Sequence, residues 1–106
     1  MRRGTTPTLT ITVTGMDVTD LKTIKVTFKQ GNIELTKATD DVTIDAENNA
    51  ILVPLTQEDT LKFDSGAVNV QIRGLLADNV TAIASGIKSF SMDKILLDGV
   101  IEADGE

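Results

Sequence analysis

Thr8-Leu9-Thr10-Ile11-Thr12-Val13-Thr14 alternates a threonine with an aliphatic residue at every step. In an extended chain successive side chains point to opposite faces, so Leu9, Ile11 and Val13 share one face and the threonines the other. This is the pattern of a half-buried β-strand, and it recurs along the chain. Thr23-Ile24-Lys25-Val26-Thr27-Phe28-Lys29 places Ile24, Val26 and Phe28 inward and the lysines outward. Gln30-Gly31-Asn32 follows as a tight turn, because Gly and Asn accept positive φ cheaply, and Ile33 and Leu35 continue as the return strand of a hairpin. Val42 to Asp45 reads as a short fourth strand, and Asn48-Asn49 turns the chain into Ala50 to Pro54. Pro54 has no amide proton, so that strand should end there or lie on an edge.

Leu55 to Phe63 breaks the alternation. Thr56 is placed to cap the free amides of a helical turn, Glu58 and Asp59 suit its positive end, and Gly66 could supply a left-handed exit. The expectation is a helical or 3₁₀ turn over Thr56 to Phe63 that crosses from one sheet to the other. Val68, Val70 and Ile72 then alternate again, Asp78-Asn79 offers a two-residue turn, and Val80 to Phe90 returns as the last long strand. If Ile83 and Ile87 face the core, Phe90 cannot, unless a bulge near Ser85-Gly86 shifts the phase.

About seven short strands and one helical turn, with turn signals roughly every 10 residues, predict an all-β, immunoglobulin-like Greek-key sandwich. Leu9, Ile11, Val13, Ile24, Val26, Phe28, Val68, Val70 and Ile72 form the expected core. The 106 residues suit one domain, 1–106, with residues 1–7 and 102–106 as flexible ends. Absence of cysteine rules out disulfides and thiolate metal sites. No apolar run approaches the roughly 18 residues of a helical membrane span, and residues 4–8 lack the apolar stretch of a common secretion signal.

The formal charge of −6 is unevenly placed: residues 1–37 sum to +3 and the remainder to −9. Acidic chains are repelled by nucleic acid unless they carry a concentrated basic patch, and Arg2-Arg3 is too small a patch to serve. The asymmetry could attract neighbouring copies head to tail, although a solvated surface explains it more simply.

Chemistry is not expected. The chain has no histidine, its acids stand singly on turns or outward strand positions, and no serine sits in a nucleophile motif. Asp40, Asp41, Asp45, Glu47, Asn48 and Asn49 form the densest oxygen cluster, but the spacing fits no calcium loop, and turn chemistry accounts for it. With neither Trp nor Tyr there is no stacking platform for sugars or bases. No catalytic residue, metal or cofactor is therefore expected, nor a nucleic-acid, membrane or small-molecule partner. The segment Ile95-Leu96-Leu97-Asp98-Gly99-Val100-Ile101 is too apolar for a free tail, and either closes the fold or docks on a partner. Ile95, Leu96, Leu97, Val100 and Ile101 are the candidate partner-binding residues, and Arg2 and Arg3 the candidate arm contacts.

Leu55 to Phe63, Gly66, Val68, Val70 to Arg73, Ala84-Ser85, the ending Leu97 to Ile101 and the opening Arg2 to Thr8 together resemble the amino-terminal domain of upper baseplate proteins from phages and prophages of Gram-positive bacteria. The resemblance touches nearly the whole chain through short motifs. It implies a non-enzymatic virion part, synthesised in the bacterial cytoplasm, whose sandwich meets tail or baseplate proteins or copies of itself. No receptor-binding or trimer-forming region is expected after Glu106, an expectation that favours a structural piece over host recognition. The alternative is a stand-alone immunoglobulin-like adhesion or accessory binding domain of a bacterial cell, whose edge strands pair with a peptide.

Overall fold

The computed structural model describes residues 1–103. Eight strands form two antiparallel sheets. One sheet holds β1 (Thr8–Thr12), β5 (Ala50–Pro54) and β4 (Thr43–Asp45), in that order. The other runs β3 (Ile33–Ala38), β2 (Leu21–Gln30), β6 (Gly66–Leu76), and on the far edge of β6 both β7 (Ala82–Ala84) and β8 (Lys88–Met92). With β1, β5 and β4 taken as strands B, E and D, and β2, β3, β6 and β7/β8 as C, C′, F and G, this is an immunoglobulin-like sandwich topology with one added strand, C′. Strand A is reduced to a short bridge in which Arg2 pairs with Asp93 in parallel beside β8.

The core lies where the alternation predicts. Ile24, Val26, Phe28, Val68, Val70 and Ile72 are buried, while Leu9, Ile11 and Val13 are half-buried against them. The Phe28 ring meets Phe63 and Phe90 at centroid distances of 6.5 and 6.2 Å, in tilted and edge-on geometries that suit the aromatic quadrupole. Gly31 and Asn32 close the hairpin between Gln30 and Ile33, with Gly31 at φ 57. Pro54 ends β5 beyond the reach of β4, which pairs only with Ala50 to Leu52, so its missing amide interrupts no ladder.

The expected last strand is two strands. Register passes from Arg73 opposite Ala84 to Val70 opposite Lys88, so two residues of β6 face three of the partner. This is a one-residue bulge at Ser85-Gly86-Ile87. Ser85 Oγ accepts from the Ile72 amide at 3.0 Å, and the Ser85 amide donates to the Ile72 carbonyl at 2.8 Å. The shift lets both Ile83 and Phe90 pack against the core and turns Ile87 outward, 67% exposed.

Between the sheets, α1 (Gln57–Leu61) carries the chain from β5 to β6. Thr56 caps it: its hydroxyl accepts from the Asp59 amide at 3.1 Å, and the Asp59 carboxylate accepts from the Thr56 amide at 2.9 Å. Thr60, fully buried, donates its hydroxyl to the Thr5 carbonyl at 2.9 Å and so ties α1 to the amino-terminal arm. Gly66 does not form the helix exit. Its φ of 124 lies at the start of β6, while Lys62 in ordinary helical geometry ends α1.

Asn49 replaces a simple turn residue with a staple. At φ 50, its Nδ2 donates to the carbonyls of Val13 (2.7 Å) and Met16 (2.8 Å), and its Oδ1 accepts from the Val18 amide (2.9 Å). These bonds fix the crossing from β1 to β2. Asp78 caps the β6–β7 connection by accepting from the amides of Val80 and Thr81 and from the Thr81 hydroxyl. That connection spans residues 77–81, wider than the two-residue turn expected at Asp78-Asn79.

Candidate partner-binding surface

The polar cluster of the first half is turn chemistry. Asp41 accepts from the Ala38 amide at 2.9 Å, and Asp45 accepts from both nitrogens of Asn48. Among the described residues no three His, Cys, Asp or Glu side chains gather as a metal would require. Asp59 is the one partly buried acid with a distinctive environment. Burial pushes its carboxyl up, but the Lys37 ammonium at 2.7 Å together with the Thr56 amide and hydroxyl outweighs this and holds it below the ordinary value. The pair joins β3 to α1 and serves the scaffold.

Arg2 and Arg3 reach within their own chain. The Arg2 guanidinium donates to the Lys94 carbonyl at 2.7 Å. Arg3 donates to the carbonyls of Phe63 (2.6 Å) and Leu61 (3.0 Å), where the open end of α1 leaves carbonyls without helical partners, and pairs with Asp98 at 3.2 Å. Met1 to Arg3, expected as part of a loose end, exchanges backbone hydrogen bonds with Asp93: the Asp93 amide donates to the Met1 carbonyl and the Arg3 amide to the Asp93 carbonyl.

The carboxy-terminal segment follows directly. Ile95 is half-buried, with its Cδ1 close to Gly4. Beyond it, Leu96, Leu97, Val100 and Ile101 are exposed, Leu97 by 71% and Ile101 by 59%. Polar contacts fasten this stretch: the Arg3–Asp98 pair, and a two-way bond in which Gln57 Nε2 donates to the Ile101 carbonyl while the Ile101 amide donates to Gln57 Oε1. The segment therefore runs along α1 and the amino-terminal arm with its large side chains turned out. Expected flexibility at residues 102–106 concerns two exposed residues, Glu102 and Ala103, and three that lie outside the described residues.

A second feature arises from the meeting of two sheet edges. The free edge of β1 and the β7–β8 edge of the opposite sheet stand apart, and between them opens a cleft of about 660 Å³. Leu9, Ile11, Val13, Ile83 and Phe90 supply its apolar walls, and among the described residues Lys88 is the one charged side chain lining it. This explains why the first strand is only half-buried: its inward face meets the core on one side and the cleft on the other.

A scan against protein-family models finds no match for this chain, and comparison with curated proteins finds none either. No helix among the described residues is long and apolar enough to cross a membrane.

Proposed function

We propose that this protein is a non-enzymatic structural component of a phage virion, a tail or baseplate part that acts through protein–protein contacts. The observation that carries this reading is the set of exposed apolar side chains Leu96, Leu97, Val100 and Ile101, on a segment held to the sandwich by polar contacts. Soluble domains rarely present such a run without a partner to cover it. The resemblance of the opening, middle and closing motifs to upper baseplate domains supplies the class of partner: tail or baseplate proteins, or further copies of the chain. The charge asymmetry is consistent with this, since oppositely charged surfaces accelerate and orient association.

The test is co-sedimentation of the purified full chain with purified tail or baseplate particles at low salt, where charge attraction is strongest. Retention on the particles is expected, and Leu96→Asp with Val100→Asp should abolish it while leaving the melting midpoint unchanged. Recovery of the wild-type chain only in the unbound fraction would overturn the virion assignment.

A further inference from the structure

We infer that the cleft between β1 and β8 accepts a β-strand donated by a second copy of this chain, the donor being residues 95–101. This inference does not depend on the virion assignment, because it rests on the geometry of one sheet edge and one tail.

The acceptor edge is β1. Pro7 bonds to Leu55 and Val13 to Asn49. Antiparallel pairs alternate, so Leu9 and Ile11 also face β5. The amides and carbonyls of Thr8, Thr10 and Thr12 accordingly point away from β5, along an edge where β1 is the terminal strand. Edges of this kind are normally blunted by charge, proline or shortness. The other edges follow that rule: β3 carries Glu34 and Lys37, β4 and β7 have three residues each, and Met1 to Arg3 covers the end of β8. Thr8 to Thr14 has neither charge nor proline and, unlike β4 and β7, is not cut to three residues. It is the row where strand A would pair in a complete sandwich of this topology.

The donor matches in length and apolar pattern. Seven extended residues span about 23 Å at roughly 3.3 Å each, the same reach as Thr8 to Thr14. Extended, the donor turns Ile95, Leu97 and Ile101 to one face with Gly99 between them, suiting the apolar floor of the cleft. Asp98 falls on the other face, toward solvent, with Leu96 and Val100. Gly99 now bends the tail at φ 99, and glycine moves from there to the extended region without steric cost. The contacts that must be released are the Arg3–Asp98 pair, whose carboxylate is 75% exposed, the exposed Gln57–Ile101 bonds, and the packing of the half-buried Ile95 beside Gly4. The donor's own cleft is the poorer target, because Met1 to Arg3 covers the β8 edge at Ser91 and Asp93, directly beside the point where the tail begins. Donation to the next copy is a head-to-tail contact, which builds rings or filaments rather than a closed two-fold dimer.

Sedimentation of the full chain from micromolar to millimolar concentration tests the assembly. Concentration-dependent association is expected, weakened at least ~tenfold by Leu97→Asp with Ile101→Asp. That double variant, whose substituted side chains are exposed, then serves as acceptor for a synthetic peptide of residues 94–103. Binding should slow hydrogen exchange of the Thr8, Thr10 and Thr12 amides at least ~tenfold, and a scrambled peptide should not. A wild-type chain that stays monomeric throughout, association that survives the double substitution, or a peptide that leaves those three amides unprotected would each overturn the assignment.

Discussion

Replacing Asn49 with alanine removes the side chain that joins the end of β1 to the start of β2. Three hydrogen bonds disappear, two to the carbonyls of Val13 and Met16 and one from the Val18 amide, all in partly buried surroundings. At roughly 1 kcal/mol net for each, and more where a buried partner stays unsatisfied, their loss amounts to about 3 kcal/mol. Alanine must also adopt the φ of 50 that asparagine tolerates, at a cost of roughly 1 kcal/mol. The expected total of about 4 kcal/mol is a large share of the 5–15 kcal/mol typical of a domain. Glycine at the same position relieves the backbone cost alone, so Asn49→Gly should be the milder variant by about 1 kcal/mol. Urea unfolding followed by far-ultraviolet circular dichroism reads both variants, with unchanged slope as the sign that the native state is intact. An Asn49→Ala loss below about 1 kcal/mol would mean that the staple is redundant and that the backbone ladder alone holds this crossing.

Four further outcomes are expected. Thr56→Ala should lower stability by about 1 kcal/mol through loss of the cap on α1, read as a lower melting midpoint; an unchanged midpoint would refute the cap's energetic role. Val70→Asp, which places a carboxylate among Phe28, Ile72 and Val68, should prevent folding, seen as a collapsed amide spectrum, because an unpaired buried charge costs several kcal/mol. Gly74→Ala should cost roughly 1–3 kcal/mol in chemical denaturation, since a Cβ there would lie 2.8 Å from the Thr23 carbonyl oxygen, a backbone atom that cannot step aside. Asp59 is held below its ordinary value, so its contribution is full above the unfolded-state pKa and is lost as pH falls through the lower folded value. Stability should therefore decline on acidification below about pH 4, and Lys37→Met should flatten that decline, as urea midpoints across the acid range will show.

What the sequence made legible was whatever depends on local periodicity. Period-two alternation placed Ile24, Val26 and Phe28 and their partners Val68, Val70 and Ile72 inside, and the capping chemistry of Thr56 and Asp59 located α1. The conflict in phase between Ile83 and Phe90 was itself the signal of the bulge, because no straight strand can bury both. What was illegible depends on which edges meet. Nothing in Thr8 to Thr14 says that β5 covers only one side of it, so the cleft was invisible, although the lack of any charge along that run was a readable hint. Asn49 has the local signature of an ordinary turn residue, because the three partners of its staple lie 31 to 36 positions away. The tail's surroundings were likewise beyond periodicity, because Gln57 and Arg3, which fasten it, are remote in the chain.

The pairing of β2 with β6 sets the tempo of folding. These ten- and eleven-residue strands form the broadest contact in the molecule, yet their paired residues stand 40 to 55 positions apart. Before they meet, only the local pairs β2–β3, β4–β5 and β6–β7 can form without closing a long loop. Sandwiches dominated by such distant partnerships fold in milliseconds to seconds rather than microseconds. During synthesis the threonine edge of β1 emerges long before β6 and β8, so nascent copies crowded on one message would display unpaired strands to one another. Expression at lower temperature or lower density should therefore raise the soluble yield of this chain even when its equilibrium stability is unchanged.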